Sequence, residues 1–205
     1  MSSPPASEAA ATGTTQQAQH EIVLVRHGET EWSANGRHTS RTDLSLIEEG
    51  RARAASLGSE LSGRDFSLAL CSPLRRARET CELAGFGEAA VLCDDLHEWQ
   101  YGEYEGLTTP EIREERPGWF LWRDGCPGGE SPGEIQARAD RVLGRAREAG
   151  GDVIMFAHGH ILRVLAARWL AQPVAFGARL ALSAGALCTL GYERETEVLR
   201  GWNCT

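Results

Sequence analysis

The chain of 205 residues contains no apolar run approaching the roughly 18 residues that cross a bilayer. Its first twenty residues, MSSPPASEAAATGTTQQAQH, lack the basic start and continuous apolar stretch of a secretory signal. They also lack the arginines of an organellar presequence. The expected location is therefore cytoplasmic. Positive charge is in short supply: 29 acidic against 21 basic residues leave a net charge of −8, which argues against a nucleic-acid footprint. An anion site on such a chain must be a local basic pocket. The six cysteines (Cys71, Cys81, Cys93, Cys126, Cys188 and Cys204) form no CxxC pair and no His/Cys cluster at zinc spacing. They read as ordinary reduced thiols, and neither a metal nor a cofactor is expected.

What is present is the composition of one soluble domain, 41% hydrophobic and 24% charged, long enough to bury about 70% of its unfolded surface. Residues 1–20 hold too few large hydrophobes to offset the entropy of ordering them and are expected to form a disordered tail, leaving 21–205 as the domain. Within it, short apolar runs at 21–25, 67–71, 89–93 and 152–159 alternate with segments of helical spacing at 46–61, 73–85, 131–150 and 160–172. Ser131, Pro132 and Glu134 form the chain's strongest helix start, a capping box with proline at the first helical position. The middle, between 94 and 130, reads as loop-rich, and 186–192 with 197–202 as a terminal pair of strands. This alternation predicts a three-layer α/β/α sandwich with a mainly parallel central sheet and helices on both faces.

In such sheets ligands sit at the carboxyl ends of the strands. Arg26 and His27 follow one predicted strand, Arg75, Arg76 and Arg78 a second, and His158 and His160 a third. Each piece alone has a plain structural reading: a hydrogen-bonded loop histidine, a solvated basic helix face. Three such segments delivered to one edge point instead to an anion site. A metal held by His158 and His160 is disfavoured, because residues two apart at a strand end diverge and no third ligand is near in sequence.

Four segments, RHGET at 26–30, SPLRRARET at 72–80, EWQYGEYEG at 98–106 and AHGH at 157–160, resemble the signature segments of the histidine phosphatase (phosphoglycerate mutase-like) superfamily in order and spacing. The resemblance spans about residues 21 to 202. It implies that His27 is the nucleophile, that Arg26 and Arg76 clamp phosphoryl oxygens with a geometry lysine lacks, and that His158 donates to the transferred group. It further implies that Glu98 is the acid/base, a role that requires a raised pKa. Asn35, Thr39, Ser40, Trp99, Tyr101 and Gly159 are the implied substrate contacts. Gly28 is expected to be small so that backbone can approach the ring or the phosphate. Ile47 stands where the family has a threonine helix cap, and Arg75 is expected to lie on the surface.

The same resemblance separates phosphatase from mutase. True mutases place an arginine after the glutamate and a lysine about ten residues on; here Trp99 and Thr109 occupy those positions. The segment FLWRDGCPGGES replaces the longer mutase insertion, and the last predicted strand lies close to Thr205, so water is expected to reach a phosphohistidine. The segments TEWSANGRHTSRTDL and EGLTTPEIREERPGW look most like the small broad-specificity acid phosphatases and the sedoheptulose-bisphosphatase branch. The expected activity is hydrolysis of small phosphomonoesters, with a phosphoglycerate mutase and a silent phospho-ligand binding module as alternatives. The expected partner is a small phosphorylated substrate, not nucleic acid or membrane; a homodimer is left open. Trp99, Tyr101, Tyr104, Trp119 and Trp122 are read either as a substrate mouth or as the packing of a cap.

Overall fold

The computed structural model of the protein describes residues 20–205, so the predicted tail lies outside the described residues except for His20. The chain runs β1 (Ile22–Arg26), α1 (Glu31–Ala34), α2 (Glu48–Glu60), β2 (Leu68–Cys71), α3 (Arg75–Leu83) and β3 (Ala90–Leu92). It continues through α4 (Thr109–Glu115), α5 (Leu121–Asp124), α6 (Pro132–Arg147), β4 (Val153–Ala157), α7 (Gly159–Trp169), β5 (Leu187–Glu193) and β6 (Thr196–Cys204). The strands form one sheet in the order β3-β2-β4-β1-β5-β6. The first four strands of that order are mutually parallel, and β5 and β6 close the far edge antiparallel.

Successive side chains of a strand point to opposite faces, so a strand covered on both sides divides its residues between two cores. Ile22 and Leu24 of β1 pack with Val153 and Met155 of β4 in one buried cluster, together with Val142 and Leu143 of α6 and Leu162 and Leu165 of α7. Val23 and Val25 join Ile154 and Phe156 in the other, against Leu57 of α2 and Ala77 and Cys81 of α3. The predicted sandwich is thus present, with α2 and α3 on one face and α6 and α7 on the other.

The loop-rich reading of the middle requires one correction. Thr108 accepts from the Glu111 backbone N–H while the Glu111 carboxylate accepts from the Thr108 N–H, and this capping box, with Pro110 in the first turn, starts α4. The Ser131–Glu134 box starts α6 as expected. At α2, Ile47 occupies the cap position and supplies no side-chain hydrogen bond.

Candidate active site

The β1–β4 register pairs Arg26 with Ala157, so the residues that follow, His27 and His158, emerge side by side at the carboxyl edge. Their ring centroids lie 5.2 Å apart. The backbone N–H of His27 donates to the Ala157 carbonyl at 3.0 Å, extending the ladder one residue into the site. The His27 Nδ1 lies 2.7 Å from the Gly28 carbonyl. A carbonyl only accepts, so Nδ1 carries the proton and Nε2 keeps its lone pair. Burial, then the charges of Arg76 and Arg26, hold the His27 pKa well below the usual imidazole value, so the ring is neutral.

His27 borders a cleft of about 180 Å³ that Arg26, Thr39, Glu98, Tyr101, Gly159 and His160 also line, together with Arg37, His38 and Arg163. All 21 basic residues of the chain are arginine, so every permanent cation here is a planar guanidinium. Arg26 donates through Nη1 to the Leu182 carbonyl, while its buried Nε has no hydrogen-bond partner in the protein. A Cβ added at Gly159 would sit 3.4 Å from that Nε and 3.7 Å from Glu98 Oε2. The glycine therefore leaves open the space between a cation and a carboxylate.

Arg76 and His158 lie beneath the cleft instead of lining it; each is fully buried. Arg76 Nε donates to His158 Nδ1 at 3.2 Å, which leaves the His158 proton on Nε2, 2.7 Å from Ser72 Oγ. The Arg76 Nη atoms donate to the carbonyls of Thr39, Ser40 and Thr42. Both residues are thus committed to protein partners, and the expected direct donation from His158 to a transferred group has no free N–H here. The Glu105 carboxylate grips the same loop from the other side, accepting from the N–H groups of Ser40 and Thr42. Ser40 also donates its hydroxyl to Glu105 and serves the loop.

Two further expected contacts, Asn35 and Trp99, stand elsewhere. Asn35 is exposed at the end of α1 and does not line the cleft. Trp99 is fully buried, with its Nε1 donating 2.9 Å to the Glu130 carbonyl; a large ring beside the apolar cluster is stabilised more by burial than by exposure at a mouth. Trp119 and Trp122 are buried with it, so these rings pack the cap. The size of Gly28 has another cause than the one expected. A Cβ there would lie 2.3 Å from the Gly50 carbonyl oxygen, so it is helix α2 that approaches. Arg75, as expected, is on the surface, paired with Glu79.

Glu98 departs most from expectation. Its carboxylate accepts from the backbone N–H groups of Trp99, His160 and Ile161 at 2.9–3.1 Å, the last two in the first turn of α7. Burial alone would favour the protonated acid, but the hydrogen bonds and charge of His160 outweigh it and hold the pKa well below the ordinary carboxylate value. Beside it, His160 places Nδ1 2.7 Å from the Tyr101 hydroxyl and 3.7 Å from Glu98 Oε2. The sequence places His160 at the anion edge and disfavours it as a metal ligand; that it stands in the first turn of a helix whose N-terminus holds a carboxylate needs the fold. Thr80, which accepts from the Gly28 N–H at 3.0 Å, was equally silent within SPLRRARET.

Comparison with known proteins agrees with this layout. An acid phosphatase of Mycobacterium tuberculosis is 42% identical over 177 residues, 85% of this chain and 87% of that protein. A sedoheptulose 1,7-bisphosphatase of Saccharomyces cerevisiae is 36% identical over 72% of this chain and 66% of its own length. The solved structure of an open reading frame of Mycobacterium tuberculosis superposes with a TM-score of 0.87 at 39% identity, covering 91% of this chain and 98% of that one. The family model described as histidine phosphatase superfamily (branch 1) matches residues 22–205, and with those relatives it shows that the chain belongs to the histidine phosphatase superfamily.

Proposed function

We propose that the protein hydrolyses small phosphomonoesters, sugar phosphates among them, through a phosphohistidine on His27. The observation that carries this reading is the tautomer lock: with Nδ1 held by the Gly28 carbonyl, the neutral ring presents Nε2 as a nucleophile beside the unpartnered Arg26 Nε. Arg26 offers a donor to the phosphoryl oxygens, and Gly159 leaves them room. Arg76, His158 and the Thr39–Ser40 loop act from below, Arg76 contributing charge to the dianion and the rest holding the geometry. The relatives named acid phosphatase and sedoheptulose 1,7-bisphosphatase support hydrolysis and this substrate class. The proposed reaction is metal-independent, with arginine supplying the charge for the phosphoryl oxygens.

The test is phosphate release from p-nitrophenyl phosphate, 3-phosphoglycerate, fructose bisphosphate and sedoheptulose bisphosphate in the presence of EDTA, for wild type and His27→Ala, with phosphoglycerate isomerisation followed in parallel. Release that survives EDTA and disappears in His27→Ala is expected. Isomerisation without release would make the protein a mutase, and neither activity would leave a phospho-ligand binding module.

A further inference from the structure

Arg26 commits one nitrogen to the protein and keeps another for the cleft: Nη1 donates to the Leu182 carbonyl, and Nε is left without a partner beside Gly159. A guanidinium is planar and rigid, so the position of that one carbonyl sets the direction in which the remaining N–H groups point. The carbonyl belongs to a stretch outside helix and strand, residues 181–183, in which Ala181 and Ser183 are exposed and Leu182 alone packs in part on the core. Strand β6 holds this stretch on both sides of Leu182. The Ser183 N–H donates to Asn203 Oδ1 at 2.6 Å, and Trp202 Nε1 donates to the Ala181 carbonyl.

The end of β6 is shaped for this contact. From Leu187 to Thr189 β5 advances two residues, while their partners Cys204 and Gly201 lie three apart, so β6 carries one extra residue there. Asn203 stands in that bulge at φ 57°, a left-handed conformation that asparagine tolerates, with its own N–H on Cys188 Sγ at 3.2 Å. A bulge re-aims a side chain out of the regular alternation of the ladder, and here the re-aimed side chain meets Ser183.

We propose that Asn203 is a positioning residue for phosphoryl binding: with Trp202 it fixes the 181–183 stretch, whose Leu182 carbonyl aims the Arg26 guanidinium into the cleft. The inference rests on the phosphohistidine reading above, in which Arg26 donates to the phosphoryl oxygens. The backbone of the site is held separately. The Arg26 N–H donates to the Ala186 carbonyl at 3.1 Å, and the Gly185 N–H donates to the His27 carbonyl at 3.0 Å. Loss of the Asn203 contact therefore leaves the nucleophile in place and frees the guanidinium, so the effect falls on affinity for the phosphoryl group.

The experiment measures KM and kcat for p-nitrophenyl phosphate, the dissociation constant of orthovanadate by calorimetry, and melting curves. It uses wild type, His27→Ala, Asn203→Gly, Asn203→Asp and Trp202→Phe, with Asn203→Gly made also in an Arg26→Lys background. Glycine keeps the left-handed backbone and loses the acceptor, whereas aspartate keeps both. Asn203→Gly is expected to raise KM and the orthovanadate constant together by about tenfold, within what a displaced positioning group costs, while kcat changes by less than about threefold. Its melting temperature is expected to stay close to that of wild type, and Asn203→Asp to restore both constants. Trp202→Phe, which keeps a ring and loses the donor, raises the same constants by a smaller factor and serves if Asn203→Gly does not fold. In the Arg26→Lys background no planar fork reads the Leu182 carbonyl, so Asn203→Gly is expected to change the orthovanadate constant no further. Constants unchanged in both Asn203→Gly and Trp202→Phe, or the same loss in the Arg26→Lys background, would overturn the positioning role while leaving the phosphohistidine intact. Phosphate release persisting in His27→Ala would instead overturn the reading beneath it.

Discussion

Gly28 and Gly50 meet backbone to backbone: a Cβ on Gly28 would stand 2.3 Å from the Gly50 carbonyl oxygen, and one on Gly50 would stand 2.3 Å from the carbonyl oxygen of Glu29. Neither contact is with a flexible side-chain end. The residue after the proposed nucleophile is therefore wedged against the first turn of α2, and the carbonyl that fixes the His27 tautomer belongs to that wedge.

Gly28→Ala is expected to cost about 1–3 kcal/mol, as overpacking does, because α2 must move away. A thermal melt should register a drop of roughly 5 °C in a chain of this size. Phosphate release should fall further than the lost stability explains, since the Gly28 carbonyl shifts with the helix. An alanine variant that melts and turns over like wild type would show that the contact is soft.

Gly159→Ala should separate activity from stability. The new methyl meets Arg26 and Glu98 at ordinary contact distances of 3.4 and 3.7 Å, so the fold accommodates it, but it fills the space proposed for phosphoryl oxygens. KM for p-nitrophenyl phosphate is expected to rise at least tenfold while the melting temperature stays within a few degrees, which steady-state kinetics and calorimetry check together. Unaltered kinetics would move the phosphate elsewhere in the cleft.

Arg138 and Glu130 form a buried pair, with Nε and Nη2 reaching the two carboxylate oxygens at 2.6 and 2.9 Å. Arg138 also donates to the carbonyls of Asp95, His97 and Glu98, so it supports the segment that presents the Glu98 carboxylate. Arg138→Met leaves a buried carboxylate unpaired and is expected to destabilise by about 3–5 kcal/mol. Denaturant unfolding measures this directly, and a loss under 1 kcal/mol would mean that water enters to replace the guanidinium.

Acid should weaken the fold through groups held in their deprotonated forms. The native pKa values of His27 and His158 are depressed, so the unfolded chain binds more protons than the native one below the ordinary histidine pKa of about 6.5, and stability falls as pH drops through that value. Glu98, also depressed, adds to the loss once pH passes below the ordinary range near 4.3. Melting temperatures measured from pH 7.5 to 4.5 should decline steadily, each histidine contributing up to about 1.4 kcal/mol per pH unit. A flat profile would show that these rings become charged in the native state.

The parallel strands were legible because burial on both faces leaves short apolar runs between helical segments, and the β1–β4 edge followed from where the cations stood. The capping box at Ser131 was readable because a sixteen-residue helix follows it, whereas the same spacing at Thr108 and Glu111 opens only a seven-residue helix, too short to display a period. Nothing local distinguishes a tryptophan that packs from one that recognises, so the sequence leaves Trp99 between a mouth and a cap, and only the fold shows its indole in the core. The depth of Arg76 and His158 below the cleft is likewise a property of how the 39–42 loop folds over them. The charge state of Glu98 depends on where α7 begins relative to a residue 62 positions earlier, a relation between distant segments.

The cleft is assembled from two kinds of wall. The side around His27 is pinned by sheet ladder and by glycine-to-glycine contact, whereas the side around His38 and Tyr101 rests on a cap of short helices and tryptophans between residues 94 and 130. Changes among the buried rings of the cap therefore reshape the cap-side wall of the cleft first, whereas the wall around His27 has no slack to give.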